Sequence, residues 1–269
     1  MIPALTTLRK AHRFAAALLA ALSILGACPV HAGPFVVQPT RLELAASRPS
    51  GALVVRNEGL SILAFQVTGM RWTEDHEGRE HYTDTDDLIY FPRRLTLPPG
   101  QSAVIRVGLR QPAGALEKTY RLFIEQLAMP GPPDDGPQPR IHVLMRLGAP
   151  VFVASLAPRQ QLALPAFTVD QGQVHWTLIN EGSRHEVFQA IALRGLDATG
   201  TEVFRQEFNG RYFLAGALRR FRADLPADTC PRIDHLVLEV RTEHSRISRQ
   251  LQPGASACAP QVAPADSRG

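Results

Sequence analysis

The sequence has few cysteines, three in 269 residues, and few aromatics, 7% of the total. Three cysteines exclude a disulfide-stapled miniprotein. No stretch carries an apolar stripe of 3.6-residue period through three helical turns, which argues against a helical bundle. The sequence has no GxSxG elbow, no Walker loop, no dinucleotide fingerprint, no HExxH and no paired CxxC. Nothing in it supports an enzyme, and no metal or cofactor is expected. The uncharged run Phe14 to Ala27 would make a helix of roughly 21 Å at about 1.5 Å per residue. That is short of the roughly 30 Å hydrocarbon core, so stable membrane insertion is not expected. What is present is enough apolar sequence, 45% against 20% charged, to build a substantial core. That balance excludes a disordered or fibrous chain, and the length suits two ordinary domains or one large one.

Net charge is +4, and its position matters. Arg9, Lys10 and Arg13 precede the run Phe14 to Ala27, and Val30-His31-Ala32 follows with small residues at the two positions a signal peptidase reads. Residues 1–32 are therefore expected to be a signal peptide cleaved after Ala32. Its loss removes three positive charges and leaves the rest close to neutral, which withdraws the main argument for a nucleic-acid partner. The alternative is a lipoprotein, because Leu25-Gly26-Ala27-Cys28 has the form of a lipidation site. With Cys28 removed, Cys230 and Cys258 remain, either bridged in an oxidising compartment or as two free thiols.

The periodicity after residue 33 is that of strands. Residues 35–44, 52–57, 62–72, 102–109, 119–128 and 140–153 are short runs of Val, Ile, Leu and aromatics. Turn chemistry separates them, at Arg48-Pro49-Ser50-Gly51, Asn57-Glu58-Gly59 and Leu97-Pro98-Pro99-Gly100 among others. A second set of strands lies around Val174 to Leu178, Val187 to Leu193, Glu202 to Phe208, Arg211 to Leu214, Leu236 to Val240 and Ser245 to Leu251. The fold class is all-β, with domains at 33–155 and 156–258 and a flexible tail at 259–269. Trp72 and Trp176 read as core residues. Glu74 to Asp87, with Asp84, Asp86, Asp87, His76 and His81, lacks the Gly and distal Glu of a calcium loop and any Cys partner for zinc. It reads as a solvated hairpin loop. Ser183-Arg184-His185-Glu186 holds the residue types of a catalytic triad, but sequence neighbours on a strand point to opposite faces.

The informative segment is Arg140 to Val153, which follows a loop rich in Pro and Gly. Ile141, Val143, Met145 and Leu147 share one face by the period of two, and His142, Leu144, Arg146 and Gly148 share the other. This is either a half-buried strand or an exposed edge able to join another protein's sheet.

With that strand the chain resembles the periplasmic chaperones of the chaperone/usher pathway for pili and fimbriae. The resemblance rests on an ordered set: Phe35 to Leu44, the Asn57-Glu58-Gly59 turn, Trp72, Leu97 to Val107, Glu117 to Leu127, and Ile141 to Val153 with its ending Pro150-Val151-Phe152-Val153. It covers nearly all of the first domain, and is thinner over the second, at Trp176 to Asn180. It implies two immunoglobulin-like β-sandwich domains set at an angle, in the periplasm. The implied activity is binding of pilus or fimbrial subunits by a lent strand and delivery to an outer-membrane usher, without enzymatic chemistry. Ile141, Val143, Met145 and Leu147 would be the donor row. Arg41 would grip the subunit's terminal carboxylate. The family's second cation is a Lys whose place is taken by Pro150, an ending more like the divergent spore-coat and Csu-type branch. Arg106, Arg121 and Arg146 are candidates to replace it. The reading from a different class is a secreted or lipid-anchored adhesion or carbohydrate-binding protein of two sandwiches.

Overall fold

The computed structural model describes residues 34–110, 114–129, 143–210, 212–254 and 257–258. The expected signal peptide, the Cys28 alternative, Ile141 and the tail from 259 lie outside the described residues.

Among the described residues the regular structure is strand, apart from one 3-10 turn at Cys230–Arg232, and there is no α-helix. The first half contains β1 (Phe35–Gln38), β2 (Leu42–Leu44), β3 (Ser50–Asn57), β4 (Leu63–Glu74), β5 (Glu80–Asp84), β6 (Leu88–Phe91), β7 (Arg94–Leu97), β8 (Ser102–Leu109), β9 (Lys118–Leu127) and β10 (Arg146–Val153). They form two facing sheets, one ordered β1-β3-β8-β6 and the other β2-β10-β9-β4-β5, with β7 beside β4. Pro39, which has no N–H to continue a ladder, follows β1, and there the chain changes sheet. β1 runs antiparallel to β3, whereas β2 runs parallel to β10. The alternation in sequence becomes a core between the layers: Leu53, Val55, Ile105 and Val107 from one sheet meet Phe65, Leu122, Ile124 and Val151 from the other.

The second half contains β11 (Leu162–Asp170), β12 (Gln173–Asn180), β13 (Glu186–Leu196), β14 (Glu202–Phe208), β15 (Tyr212–Phe213), β16 (Leu218–Asp224), β17 (His235–Thr242) and β18 (Arg246–Leu251). They form a β11-β12-β16 sheet facing β14-β13-β17-β18, with β15 beside β13. Trp176, Leu178, Leu193, Leu236 and Leu238 fill its core. Cys230 and Cys258 are bridged, with their Cα atoms 5.7 Å apart.

Both sandwiches use the same turn after their second main strand. Asn57 is buried; its Nδ2 donates to the carbonyls of Ser61 and Leu97 (2.8 Å each) and its Oδ1 accepts from the Gly59 amide (2.9 Å). Asn180, equally buried, donates to the carbonyls of Arg184 (2.8 Å) and Phe213 (3.1 Å) and accepts from the Gly182 amide (3.0 Å). The Asn-Glu-Gly triplet thus serves twice, because a short amide side chain can bond its own backbone two residues on. In the second sandwich the glycine is obligatory: a Cβ on Gly182 would lie 2.5 Å from the Arg159 carbonyl oxygen.

The strand expected over 140–153 begins only at Arg146; Val143 to Met145 are not in a strand. Five strands fall where none was expected: β5, β6, β7, β11 and β16. β5 is an edge strand whose residues are mostly exposed. β11 is interrupted by a register shift between Ala163 and Ala166, around Pro165. In β16, Arg219 sits on the inward row with Phe221 and Ala223, opposite Leu178, so a charge stands where alternation predicts an apolar residue.

Candidate functional site

β10 is paired on both sides only at its end. Along its whole length it runs antiparallel to β9, but β2 covers its other side only at Val151 to Val153. Arg146 to Pro150 therefore present an open edge. The Gln126 amide donates to the Met145 carbonyl (2.9 Å), which extends the β9 ladder upstream of the strand. By the alternation of an antiparallel ladder, the backbone groups of Arg146 and Gly148 then turn to the open side. Just upstream, Val143 is 74% exposed, Leu144 50% and Met145 37%. Leu147, by contrast, packs on the core of its own sandwich. Pro150 contributes no donor at the edge, a common device for keeping an edge strand from pairing with copies of itself.

The outward face of this sheet meets the second sandwich. Phe152, Trp72, Tyr212 and Leu214 form a buried cluster across the joint. The His185 ring stacks on Phe152 with centroids 3.7 Å apart, and Trp72 meets Tyr212 edge-on at 5.5 Å. A buried hydrogen-bonded pair and a buried ion pair lock this contact. Glu117 Oε1 accepts from His185 Nδ1 (2.7 Å) and from the His185 amide (3.0 Å). Arg219 Nη2 donates to Glu74 Oε2 (2.6 Å) and to the Tyr212 carbonyl (3.0 Å). Burial pushes the Glu74 carboxyl above its ordinary pKa, and the Arg219 guanidinium offsets only part of that rise.

The acidic hairpin is the second half of this joint, a correction to its reading as a solvated loop. The His76 carbonyl accepts from the Arg220 amide (2.7 Å). Gly78, at φ +77, passes directly beneath Arg219. Asp75 shapes the turn by accepting from Arg79, His81 and the Glu77 amide. Its own desolvation works the other way, but these bonds hold its carboxyl well below the usual range. Asp87 is engaged by Tyr120 and Arg71 (2.7 and 2.9 Å), and no group of three His, Cys, Asp or Glu among the described residues is placed to hold a metal ion.

Ser183-Arg184-His185-Glu186 sends each side chain to a different partner. Ser183 bonds to Ser155 and to the Ala157 carbonyl in the connection between sandwiches. Arg184 reaches Glu43 on β2, His185 takes Glu117, and Glu186 accepts from Thr242 and Ser245. Sequence reasoning missed this joint, Arg184 included; the signal available was the repeated Asn-Glu-Gly turn, which aims the segment.

The structure separates the four predicted cations. Arg41 lies immediately before β2 and pairs with Glu43 (3.3 Å). Arg121 stands directly across from Pro150, but it is already engaged: Nη2 donates to Glu80 (2.8 Å), Nη1 to the Gly148 carbonyl (3.2 Å), and its guanidinium lies 3.9 Å from the Trp72 ring centroid. Arg146 stacks on Phe123 at the start of β10, and Arg106 lies exposed on β8, in the other sheet. Neither is near Pro150 in the ladder. Trp72 and Trp176 are both buried, Trp72 in the joint and Trp176 in the second core.

Residues 34–155 match the family described as pili and flagellar-assembly chaperone, PapD N-terminal domain. No curated protein matches the chain by sequence. Among solved structures, the CsuC–CsuE chaperone-tip adhesion subunit pre-assembly complex from the archaic chaperone-usher Csu pili of Acinetobacter baumannii is similar over 82% of this chain and 100% of its own, at 15% identity and a TM-score of 0.54. The class 5 fimbriae chaperone CfaA covers the same shares at 15% identity and a TM-score of 0.52. The YadV chaperone does so at 11% identity and 0.52. At such identities these likenesses establish the fold, a pair of β-sandwiches of the PapD-like kind. Residues 34–155 thus match the sequence pattern of that chaperone domain, and the two sandwiches together share the fold of the solved pilus and fimbrial chaperones.

Proposed function

We propose that the protein works in the periplasm, holding pilus or fimbrial subunits by adding the open edge of β10 to their sheets and handing them to an outer-membrane usher. The observation that carries this reading is the one-sided pairing of Arg146 to Pro150, continued upstream by the exposed Val143, Leu144 and Met145. A sheet that lacks a strand exposes unpaired backbone and apolar groups, and an added strand satisfies both at once. Val143 and Met145 are the donor side chains, with Arg41 beside the end of the edge to receive a carboxylate. Binding of this kind involves no bond making.

Two of the donor side chains, at about 1.5 to 3 kcal/mol each when buried, make the test sharp. Val143→Asp with Met145→Asp is expected to weaken subunit binding by at least a hundredfold in pull-downs from periplasm. The melting temperature should stay the same, since Val143 faces solvent and Met145 is half-exposed. Unchanged recovery of subunits by a folded double variant refutes the proposal.

A further inference from the structure

Of the three asparagines in the chain, two are tied down. Asn57 and Asn180 are buried, each holds both ends of its carboxamide in hydrogen bonds, and each is followed by Glu. Asn209 differs on every count: it is exposed, its carboxamide bonds to nothing among the described residues, and Gly210 follows it. We infer that Asn209 is a site of spontaneous deamidation in the folded protein, and that its isoaspartyl product loosens the seat of Tyr212 in the joint between the sandwiches.

The reaction needs the next amide in the chain and water. The Gly210 nitrogen attacks Asn209 Cγ; the N–Cγ bond forms, the bond from Cγ to Nδ2 breaks, and Nδ2 leaves as ammonia carrying the proton that Gly210 gives up through water. Water then opens the five-membered imide at one of its two carbonyls. Opening at Cγ gives aspartate. Opening at the main-chain carbonyl leaves Gly210 joined to Cγ, which is isoaspartate. Nothing is oxidised or reduced.

The local fold leaves the nucleophile available. Glycine has no side chain to shield its nitrogen, and among the described residues the Gly210 amide donates no hydrogen bond. β14 and β15 both run antiparallel to β13 in one shared register, Phe208 opposite Ile191 and Tyr212 opposite Val187. Asn209 and Gly210 lie between these two ladder segments and outside both strands. At the same height β13 shifts register against β17, between Phe188 and Ala190. The Gly210 amide thus lacks the partner that a continuous ladder would give it.

The shared register is also why the product matters. Isoaspartate carries the main chain through its own side-chain methylene, so it adds one backbone carbon between two segments already fixed in register on the same strand. Gly210 is closely packed: a Cβ there would lie 2.9 Å from the Phe188 ring and 3.4 Å from Arg219 Nη1. Arg219 is the buried partner of Glu74 in the joint. Either Gly210 presses on Phe188 and Arg219, or β15 slips along β13. β15 carries Tyr212, whose ring meets Trp72 and Phe152. Aspartate, the other product, adds a charge but no main-chain atom, and leaves the register alone.

The test incubates the full chain at mildly alkaline pH, folded and in urea, and follows the tryptic peptide 206–211 by mass spectrometry with enzymatic methylation of isoaspartate. Asn209 is expected to convert in the folded chain within a few-fold of its rate in urea, mainly to isoaspartate, while Asn57 and Asn180 stay intact in the folded chain. Asn209→Gln should abolish the conversion. A folded chain that keeps Asn209 intact while the chain in urea converts overturns the site. The converted chain should then unfold at lower urea than fresh protein, and Asn209→Asp should unfold as wild type does. Equal midpoints for converted and fresh chains, or equal losses in the converted chain and Asn209→Asp, overturn the link through backbone register.

Discussion

Removing the Arg219 side-chain charge should open the joint between the sandwiches, and by an amount that depends on pH. Arg219 and Glu74 side chains are 9% and 2% exposed, and the pair is closed at 2.6 Å. Arg219→Met keeps most of the stem's volume but leaves Glu74 in the same dry place with no counter-charge. Breaking a buried pair in this way costs about 3 to 5 kcal/mol. Glu74 can relieve that cost only by taking up a proton. Its folded-state pKa is already raised in the intact pair, because burial outweighs the guanidinium; without Arg219 it rises further. A carboxyl whose pKa is raised on folding favours the folded state below its unfolded pKa, and that favour is lost as pH climbs through the folded value. The variant therefore loses stability with rising pH over a wider window than the wild type. The deficit relative to wild type should be greatest at pH 8 and shrink toward pH 5 by at least about 1.4 kcal/mol, the worth of one pKa unit. Urea unfolding followed by Trp fluorescence at pH 5, 6.5 and 8 reads this, since Trp72 lies in the joint. Glu74→Gln with Arg219→Met should remove most of the pH dependence. A deficit that is the same at pH 5 and pH 8, or one that grows toward pH 5, refutes the argument that Glu74 is held dry by Arg219.

Gly78→Ala tests the same joint from the hairpin. The residue sits at φ +77, where a side chain costs about 1 to 2 kcal/mol, and its Cβ would come within 2.6 Å of Arg219 Nε. The loss measured by thermal unfolding should exceed the backbone penalty in the wild type and fall to it in the Arg219→Met background; equal losses in both would show that the hairpin does not bear on Arg219. For the disulfide, Cys230 and Cys258 are 28 residues apart, and closing a loop of that size is worth about 3.6 kcal/mol by chain entropy. Replacing both with Ala should cost roughly that in urea titrations of the second sandwich, and a change under about 1 kcal/mol would mean the closed loop constrains little in the unfolded chain.

Strands that bury one clean apolar row were legible in sequence. β3, β8 and β9 alternate as their sequences do, with Leu53 and Val55, Ile105 and Val107, and Leu122 and Ile124 facing inward. Where a strand serves the joint or an edge, the pattern breaks. β16 hides Arg219 on its inward row, and β5 offers mostly polar residues on both faces. Periodicity registers burial against apolar neighbours and has no term for a buried charge whose partner lies 145 residues away in the chain. The same limit hid Glu117 and His185, which are separated by 68 residues and meet at 2.7 Å. The start of β10 was not legible. Val143, Leu144 and Met145 read as strand because they are apolar; without a partner on the open side there is nothing to hold them in one.

The segment Asn180 to Glu186 shows how one local motif supports two kinds of electrostatics. Its Asn-Glu-Gly turn repeats the turn at Asn57, where it only closes a sandwich end. In the second sandwich the same turn, with Gly182 pressed against the Arg159 backbone, sets the next residues at the boundary between domains. From there neighbouring side chains part to different partners. His185 turns inward to a dry Glu117, where desolvation makes the pair costly to break and suits it to a permanent fastening. Arg184 stays half in water on Glu43, where the pair is worth little. The joint between the sandwiches is therefore held by its dry pairs, and loss of the Arg184–Glu43 contact should leave it closed, whereas loss of either dry pair should not.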